Sequence, residues 1–263
     1  MSRSNPDVKI KNIAQHFITW SSDNKCFSYF KKYDEPDAQG KKGEDVLIKI
    51  PLTCLVLDVM VTIKGWNDDE NASYYSNEVR FKEMDESVFN VRIRKNNAAT
   101  GTYKEVKALL PDAKFAYSVY VCMKEDGKLI IANLQFVGTP AGEWYDFMKK
   151  NDVYKDAIKI AAYEERKKGS NTFYAPVFSK CPTTPETDLK AKELDKELQA
   201  YLLEYLKPKV EAPTSNEPIS KGEQSANLHN TSYAGNTPEH TENDLPPEQE
   251  DNSAPTEAND LPF

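Results

Sequence analysis

The hydrophobic positions of the chain fall mainly in short runs rich in Val, Ile, Leu and Thr, separated by polar turns, which is the pattern of β-strands. The longest run, 46–66, is interrupted once, at Pro51, and predicts either one long bent strand or two strands that meet at a kink. Further strands are predicted at 87–94, 115–123 and 128–137. The last two flank Asp126 and Gly127, a dipeptide typical of tight turns, and are expected to form a hairpin.

Two segments have the pattern of helices. In 139–150, Thr139 is a candidate N-cap, Pro140 stands at the first helical position, and Glu143 completes a loose capping pattern before Trp144, which is predicted to be a core residue. A longer helix is predicted to follow Thr184 as its cap, with Pro185 first and Glu186 in support, and to end near Leu206. Its apolar residues, placed near one face, are Leu189, Leu194, Leu198, Tyr201, Leu202 and Tyr205. This helix either packs on its own body or pairs with a partner, and we adopt the first interpretation.

The segment 156–166 fits two patterns. Its Ala and Lys content suits a helix, whereas the alternation of apolar residues over 158–162 suits a strand. We favour a strand, because 167–171 is a plausible turn into the aromatic and β-branched run 172–178. The two strands would form a terminal hairpin with a basic tip, although Lys167 and Lys168 at a turn are more often just part of a polar turn.

Charge divides the chain near residue 208. The whole chain has 34 Lys and Arg against 42 Asp and Glu, a net charge of −8. Residues 209–263 contain two Lys and eleven acidic residues, which leaves 32 basic and 31 acidic residues before them. Pro, Asn, Ser, Thr and Glu dominate this tail, and Tyr233 and Phe263 are its only aromatic residues. Because it cannot bury enough apolar surface to offset the entropy of ordering, the tail is predicted to be disordered.

The tail ends in a tip with the composition of a docking motif, formed by Asp260, Leu261, Pro262 and Phe263. A partner can hold the aromatic ring in a pocket and the terminal carboxylate with a cation, so the tip is predicted to bind another protein. The Asn-Asp-Leu-Pro of the tip also occurs at 243–246, followed by Pro247 instead of Phe. This copy is a decoy, a second weak docking site or a product of chance, and chance is our default interpretation.

A globular body with an acidic tail that ends in Asp-Leu-Pro-Phe resembles the single-stranded DNA-binding proteins of bacteria and their phages. In that family a disordered acidic tail carries an acidic, apolar tip that recruits replication and repair enzymes. Ala258 and Asn259 stand where the family pattern has further acids. Within the body, the segments 63–66, 74–80 and 173–178 are similar to features of the phage members.

The strand pattern and this resemblance together predict a mainly β fold. The body is expected to be a β-barrel like the oligonucleotide-binding (OB) fold, a five-stranded and partly open Greek key, with a short inserted helix and a C-terminal helix. The predicted domains are a DNA-binding barrel at 1–183, the C-terminal helix at 184–207 and the disordered acidic tail at 208–263.

Single strands of nucleic acid are held by cations that follow the phosphates and by aromatic faces on which bases stack. The body interleaves both kinds of residue. The candidate DNA-binding residues are Trp20, Tyr29, Phe30, Lys31, Lys32, Trp66, Tyr74, Tyr75, Arg80, Arg92, Arg94, Lys95, Tyr103 and Lys104. Each has a structural alternative, since aromatic residues also serve as core and cross-strand partners.

The most basic predicted strand contains Arg92 and Arg94. Alternation places Val91 and Ile93 on one face and the two arginines on the other, about 6 to 7 Å apart, which suits a phosphate track. The alternative is a solvated sheet face.

Other functions have weaker support. Four widely separated Cys and three separated His lack the spacing of a zinc site, so no metal, no cofactor and reduced cysteines are predicted. The motifs of phosphate-binding loops, dinucleotide folds, zinc proteases and serine hydrolases are missing from the sequence, and no enzyme is predicted. Acidic clusters at 68–70 and 83–86 could hold Mg²⁺ for a nuclease, but such runs are usually only solvated. Neither an export signal nor a run of about 20 apolar residues is present, which predicts a cytoplasmic protein, in the bacterial host if phage-encoded.

The predicted function is therefore to coat and protect exposed single-stranded DNA during replication, recombination and repair, while the tip recruits partner enzymes of those processes. No membrane partner is predicted. The alternative is a non-catalytic adaptor that binds protein through its body and is kept soluble by its acidic tail.

Overall fold

The computed structural model describes residues 12–36, 38 and 40–207, and this part of the chain is mainly β, as predicted. Its strands are β1 (Phe17–Ser21), β2 (Cys26–Lys32), β3 (Gly43–Ile48), β4 (Leu52–Asn67), β5 (Ala72–Tyr75), β6 (Val79–Arg80), β7 (Phe89–Ile93), β8 (Asn96–Gly101), β9 (Lys114–Glu125), β10 (Lys128–Val137), β11 (Ala157–Lys168) and β12 (Asn171–Cys181). Its helices are α1 (Tyr103–Leu109), α2 (Thr139–Lys150) and α3 (Pro185–Tyr205). The predicted disordered tail and its tip lie outside the described residues.

All twelve strands belong to one sheet. Its main path runs β3-β2-β1-β10-β9-β4-β5-β7-β8, while β6 and β11 pair with other parts of β4, and β12 pairs with β11. Four of these strands form a Greek key, because the spatial order β11-β4-β9-β10 places the fourth strand beside the first. The chain reaches β9 from β4 through an insertion that contains β5 to β8 and α1, and it reaches β11 from β10 through α2.

The long strand β4 organises the sheet by having different partners along its length. Its first residues pair with β11, its last four pair with β5, and β9 runs along the opposite edge. A bulge between Val56 and Asp58 shifts the side-chain alternation, so that Val56 before it and Val59 after it both face the main core. Pro51 separates β3 from β4, and the two-strand alternative for 46–66 is therefore confirmed.

Strand β12 is linked to the β1–β2 turn by side chains. The Tyr174 amide donates to the Ser22 hydroxyl (2.8 Å), and the Trp20 indole donates to the Tyr174 carbonyl (2.7 Å). The Lys25 ammonium lies 4.0 Å from the centroid of the Tyr174 ring. Side chains thus connect β12 to the β1–β2 hairpin, and no backbone ladder closes the sheet within the described residues.

Both predicted hairpins are confirmed. Asp126 (φ +47°) and Gly127 (φ +81°) adopt the left-handed conformation that a two-residue hairpin turn requires, and β9 pairs with β10 along ten residues. β11 pairs with β12 from Ala157, opposite Cys181, to Lys168, opposite Asn171. The ambiguous segment 156–166 is therefore a strand.

The two predicted helices are also confirmed, with one error at a cap. Gly138 is the N-cap of α2, its first helical residue is Thr139, and no side chain caps it. The Glu143 carboxylate instead receives the guanidinium of Arg166 at 2.9 Å, because the β11–β12 hairpin packs beside this turn of the helix. Thr184 caps α3 as predicted, accepting from the amide of Thr187 at 3.2 Å.

Helix α3 packs on the body, as predicted. Ala191, Leu198 and Leu202 are buried on a second core cluster that includes Met60 and Tyr120 from the outer face of the sheet. The prediction for Leu189 was wrong, because this residue lies on the solvent side of the helix. None of the helices in the described part of the chain is long and apolar enough to cross a membrane.

Candidate nucleic-acid interface

One outward-facing row of side chains crosses four strands where the inserted strands join β4. Lys114 of β9 lies opposite Lys64 of β4, Lys64 lies opposite Tyr75 of β5, and Tyr75 lies opposite Arg92 of β7. Directly opposed residues project to the same face with Cβ atoms about 4.5 to 5.5 Å apart. Trp66, two residues after Lys64, shares that face. We call these five residues, Lys64, Trp66, Tyr75, Arg92 and Lys114, the stacking row.

The two aromatic rings of the stacking row are accessible. Trp66 is 49% exposed and Tyr75 is 44% exposed. The neighbouring Tyr74 is buried, because adjacent residues of a strand point to opposite faces. The hydroxyl of Tyr75 donates to the carbonyl of Arg94, which holds the tip of the ring against the β7–β8 turn. The row therefore presents two open rings on a paired, ordered strand surface.

The cations of the stacking row differ in their surroundings. Arg92 is exposed, and within the described residues no carboxylate lies in ion-pair distance of it. Lys64 is half-buried, donates to the side chain of Gln135, and has a lowered pKa because burial disfavours the charged ammonium. Lys114 is exposed at the beginning of β9. Arg92 and Lys114 are thus the members best placed to meet a polyanion.

Gly65 lies between Lys64 and Trp66 because the chain passes close to it. A Cβ at this position would lie 2.6 Å from the carbonyl oxygen of Asp112, which is backbone and cannot move away easily. The glycine therefore lets the segment before β9 approach β4 beside the exposed indole.

The predicted pairing of Arg92 with Arg94 was wrong. Val91 and Ile93 are buried and Arg92 is exposed, so the alternation holds to the end of β7. Arg94 then adopts φ +54° in the turn to β8, and its guanidinium donates to the Glu70 carbonyl at 2.7 Å. The strand ends one residue too early for the two guanidiniums to share a face.

Three further candidates lie in the same insertion as the stacking row. Lys95 is exposed in the β7–β8 turn, and Lys104 is exposed in the first turn of α1. The ring of Tyr103 is half-buried with its centroid 5.6 Å from that of Phe115, and burial raises the pKa of the Tyr103 hydroxyl. Lys95 and Lys104 extend the positive charge of the insertion, whereas Tyr103 is a packing residue.

The candidate DNA-binding residues of β1 and β2 lie several strands away from the stacking row in the sheet. Four strands, β1, β10, β9 and β4, stand between β2 and β5. Tyr29 is buried, with its ring centroid 4.0 Å from that of His16 and its hydroxyl donating to Glu125 at 3.3 Å. Phe30, Lys31 and Lys32 are exposed on β2, while Trp20 is half-buried. The structure therefore does not bring this group into the stacking row.

Arg80 belongs to neither group. Its guanidinium pairs with the carboxylate of Asp58 at 2.9 Å. It lines a groove of about 390 Å³ together with Phe81, Met148 and Tyr154. Within the described part of the chain, Arg80 is thus engaged in an ion pair, unlike Arg92.

A buried polar network, which the sequence did not indicate, adjoins the stacking row. The Glu78 carboxylate accepts from the hydroxyls of Ser118 and Tyr120, the second at 2.7 Å. Ser118 also bonds the side chain of Asn133. Burial raises the pKa of Glu78, although both hydroxyls and the nearby Lys64 favour its charged form. Its members lie far apart in the sequence and meet only through strand pairing.

Two buried tyrosines of β9 give a matched test of this network. Tyr120 bonds Glu78, whereas the hydroxyl of Tyr117 has no partner within the described residues. We expect Tyr117→Phe to stabilise the fold by about 1 kcal/mol, because it removes an unsatisfied buried group, and Tyr120→Phe to cost about 1 to 3 kcal/mol. Urea unfolding of both variants measures the difference, and equal effects of the same sign would contradict the assignment.

A second aromatic cluster was also missed by the sequence reasoning. Tyr163 of β11 is exposed, and its ring centroid lies 5.5 Å from that of Tyr174. The Lys25 ammonium lies over both rings. The aromatic content of 172–178 was the available signal, but Lys25 is remote in sequence.

The described residues contain no group of three or more His, Cys, Asp or Glu arranged to hold a metal ion. The four cysteines are all free thiols, and burial raises the pKa of Cys54 to about 12.

The stacking row combines two open aromatic rings with exposed cations on one face of a sheet. Rings of this kind stack on bases, and cations beside them attract phosphates. The face therefore offers aromatic stacking and positive charge side by side. Comparison of the chain with models of known families, with curated proteins and with solved structures finds no match.

Proposed function

We propose that this protein binds single-stranded DNA and coats it during replication, recombination and repair. The observation that carries the proposal is the stacking row, in which Tyr75 lies between Lys64 and Arg92 in cross-strand register and Trp66 follows two residues after Lys64 on the same face. Base stacking contributes about 1 to 3 kcal/mol per base and needs no particular sequence, because every base has an aromatic face. Two rings on one surface suit a strand whose bases are unpaired.

The topology supports an OB-like barrel as the scaffold. In the Greek key, β4, β9 and β10 are the first three strands, and β11 and β12 follow after α2. OB folds are five-stranded Greek-key barrels that bind oligonucleotides on the face of strands 2 and 3 and with the loops between strands 1 and 2 and between 4 and 5. The stacking row lies at the end of β4, at the beginning of β9 and in the insertion between these two strands. It thus occupies the position that such a barrel uses for nucleic acid.

This barrel would depart from the five-stranded form at one place. β1 runs parallel to β10 and occupies its outer edge, and its side chains contact β12. The additional strand lies between the third and fifth strands of the key, where it widens the barrel. The tip of the β11–β12 hairpin carries the exposed Lys167 and Lys168, which add positive charge to the other OB-type loop.

In the same proposal the tail provides the link to other proteins. Residues 209–263 hold eleven acidic residues against two lysines, while the residues before them are close to neutral. Asp260, Leu261, Pro262 and Phe263 would dock in replication or recombination enzymes, with the ring in a pocket and the acidic groups on cations.

Titration with oligo-dT and with a duplex of the same length tests the proposal. We expect tighter binding of the single strand, quenching of Trp66 fluorescence by stacked bases, and an affinity that falls as salt rises, because phosphate contacts release counterions. The Trp66→Phe variant identifies the source of the quenching, since Trp20 and Trp144 also emit.

Three other results would each overturn the proposal. A preference for duplex would contradict single-strand recognition. An absence of salt-sensitive quenching would favour a protein-binding adaptor. Degradation of the oligonucleotide with Mg²⁺ or Mn²⁺ would indicate a nuclease.

A further inference from the structure

Strand β3 ends the main path of the sheet, and no described residue pairs with its outer edge. Such an edge presents unpaired amide and carbonyl groups to any strand that can lie beside it. β3 also displays apolar surface, because Leu47 is 50% exposed and the neighbouring Phe30 of β2 is 59% exposed. Both side chains lie on the same face, since Phe30 is opposite Asp45 and Ser28 is opposite Leu47.

The hydrogen bonds to β2 determine which backbone groups of β3 point outward. The amide of Tyr33 donates to the carbonyl of Lys42 at 3.0 Å, so this is a hydrogen-bonded pair. Such pairs alternate along an antiparallel ladder, and Glu44, Val46 and Ile48 therefore direct their backbone groups at β2. Asp45 and Leu47 direct theirs away from it, toward the free edge.

The outward residues are complementary to a second copy of the same strand. In an antiparallel pair related by a two-fold axis at Leu47, each Leu47 faces the Leu47 of the other copy. In the same register, Asp45 of each copy lies opposite Lys49 of the other copy, which gives two such pairs. Asp45 and Lys49 are exposed, and neither makes an ion pair within the described residues. Centring the axis one pair earlier, on Asp45, would place the two aspartates in contact, so charge selects the first register.

We propose that two copies of this chain associate through their β3 strands, antiparallel and centred on Leu47. The new ladder contains about six backbone hydrogen bonds, two at the central pair and two at each flanking pair. It continues the sheet from one copy into the other. The exposed Leu47 side chains cover one another at the centre, beside the Phe30 rings.

The position of Phe30 agrees with this role. Its ring lies against Gly43, where a Cβ would meet the Phe30 Cζ at 2.6 Å, so the glycine leaves room for the ring on the strand surface. The path's opposite end, β8, has a polar sequence and packs beside α1. Of the two ends of the path, only β3 combines an exposed apolar surface with an edge that is free of described residues.

Charge reversal on the full-length chain tests the pairing. Asp45→Lys places lysines opposite Lys49, and Lys49→Asp places aspartates opposite Asp45. Each single variant is expected to lower the association constant of the dimer roughly 10-fold or more, since like charges replace opposite charges at both flanking pairs. The double variant, Asp45→Lys with Lys49→Asp, restores both pairs and is expected to dimerise like the parent chain.

Mixing the two single variants gives the strictest test, because a mixed dimer has only opposite charges at the flanking pairs. Sedimentation over a range of concentrations should show weak self-association of each variant alone and recovery on mixing. Leu109→Asp, at an exposed apolar residue of α1, is the control and should leave association unchanged. A parent chain that stays monomeric throughout, or single reversals without effect, would overturn the proposal. These results do not depend on DNA binding.

Discussion

Replacing both Trp66 and Tyr75 with Ala is expected to weaken binding of oligo-dT by about 2 to 6 kcal/mol, a fall in affinity of roughly 30-fold to 10⁴-fold. The two rings are the open aromatic surfaces of the stacking row, and each is expected to hold one base. The side chains are about half-exposed and leave the main core intact when removed. Anisotropy of a labelled oligonucleotide measures the affinity without relying on the lost tryptophan.

A matched control is available in Tyr154→Ala. Tyr154 is also exposed but lines the groove beside Arg80, away from the stacking row. It should leave the affinity for oligo-dT within about twofold of the parent, since it removes no stack. If the double variant bound as tightly as the Tyr154 variant, the proposal that bases stack on Trp66 and Tyr75 would be wrong. This outcome is independent of the dimer proposal.

The strands that the sequence predicted are those with long buried stretches. β9 and β10 are buried on both faces along nearly their whole length, which gives mostly continuous apolar runs, and β11 alternates over 158–160. The turn at Asp126 and Gly127 needs residues that tolerate positive φ, so burial and turn geometry are both visible in the order of residues. Pairing of such strands could therefore be predicted locally.

The strands that the sequence analysis missed have no such pattern in their own residues. β8 reads Asn-Asn-Ala-Ala-Thr-Gly, and its pairing with β7 is decided by the neighbouring strand rather than by its own pattern. β1 and β2 mix aromatic, polar and charged residues, because their outer faces are exposed and their inner faces are covered by rings. Propensity in strands depends strongly on such context.

The candidate interface was predicted in part. Trp66, Tyr75 and Arg92 were among the candidates for their chemistry, but only the register of four strands places them on one face. Lys64 and Lys114 were missed as members for the same reason. Tyr74 could not be separated from Tyr75, since no strand pattern at 72–75 showed which of the two would be buried. The prediction for Arg94 was wrong because β7 ends at Ile93, one residue before the predicted end of the strand.

Replacing Trp144 with Ala is expected to cost about 3 to 5 kcal/mol of folding free energy, a large share of the roughly 5 to 15 kcal/mol that stabilises a domain. Trp144 is 2% exposed, and its ring centroid lies 5.3 Å from those of both Phe136 and Phe178. It brings α2, β10 and β12 together on one part of the sheet. A cavity there would remain unfilled, because the surrounding rings are held by separate strands.

Trp144→Phe distinguishes packing from polarity at this site. The indole N–H has no partner within the described residues, so Phe keeps an aromatic ring while it removes an unsatisfied donor. We expect it to cost less than half as much as Ala, in urea unfolding followed by circular dichroism. Trp66→Ala makes the same substitution at an exposed tryptophan and should change stability by no more than about 0.5 kcal/mol. Equal losses at positions 66 and 144 would mean that Trp144 does not join the helix to the sheet, whereas the expected contrast separates the tryptophan that stabilises the fold from the one proposed to bind DNA.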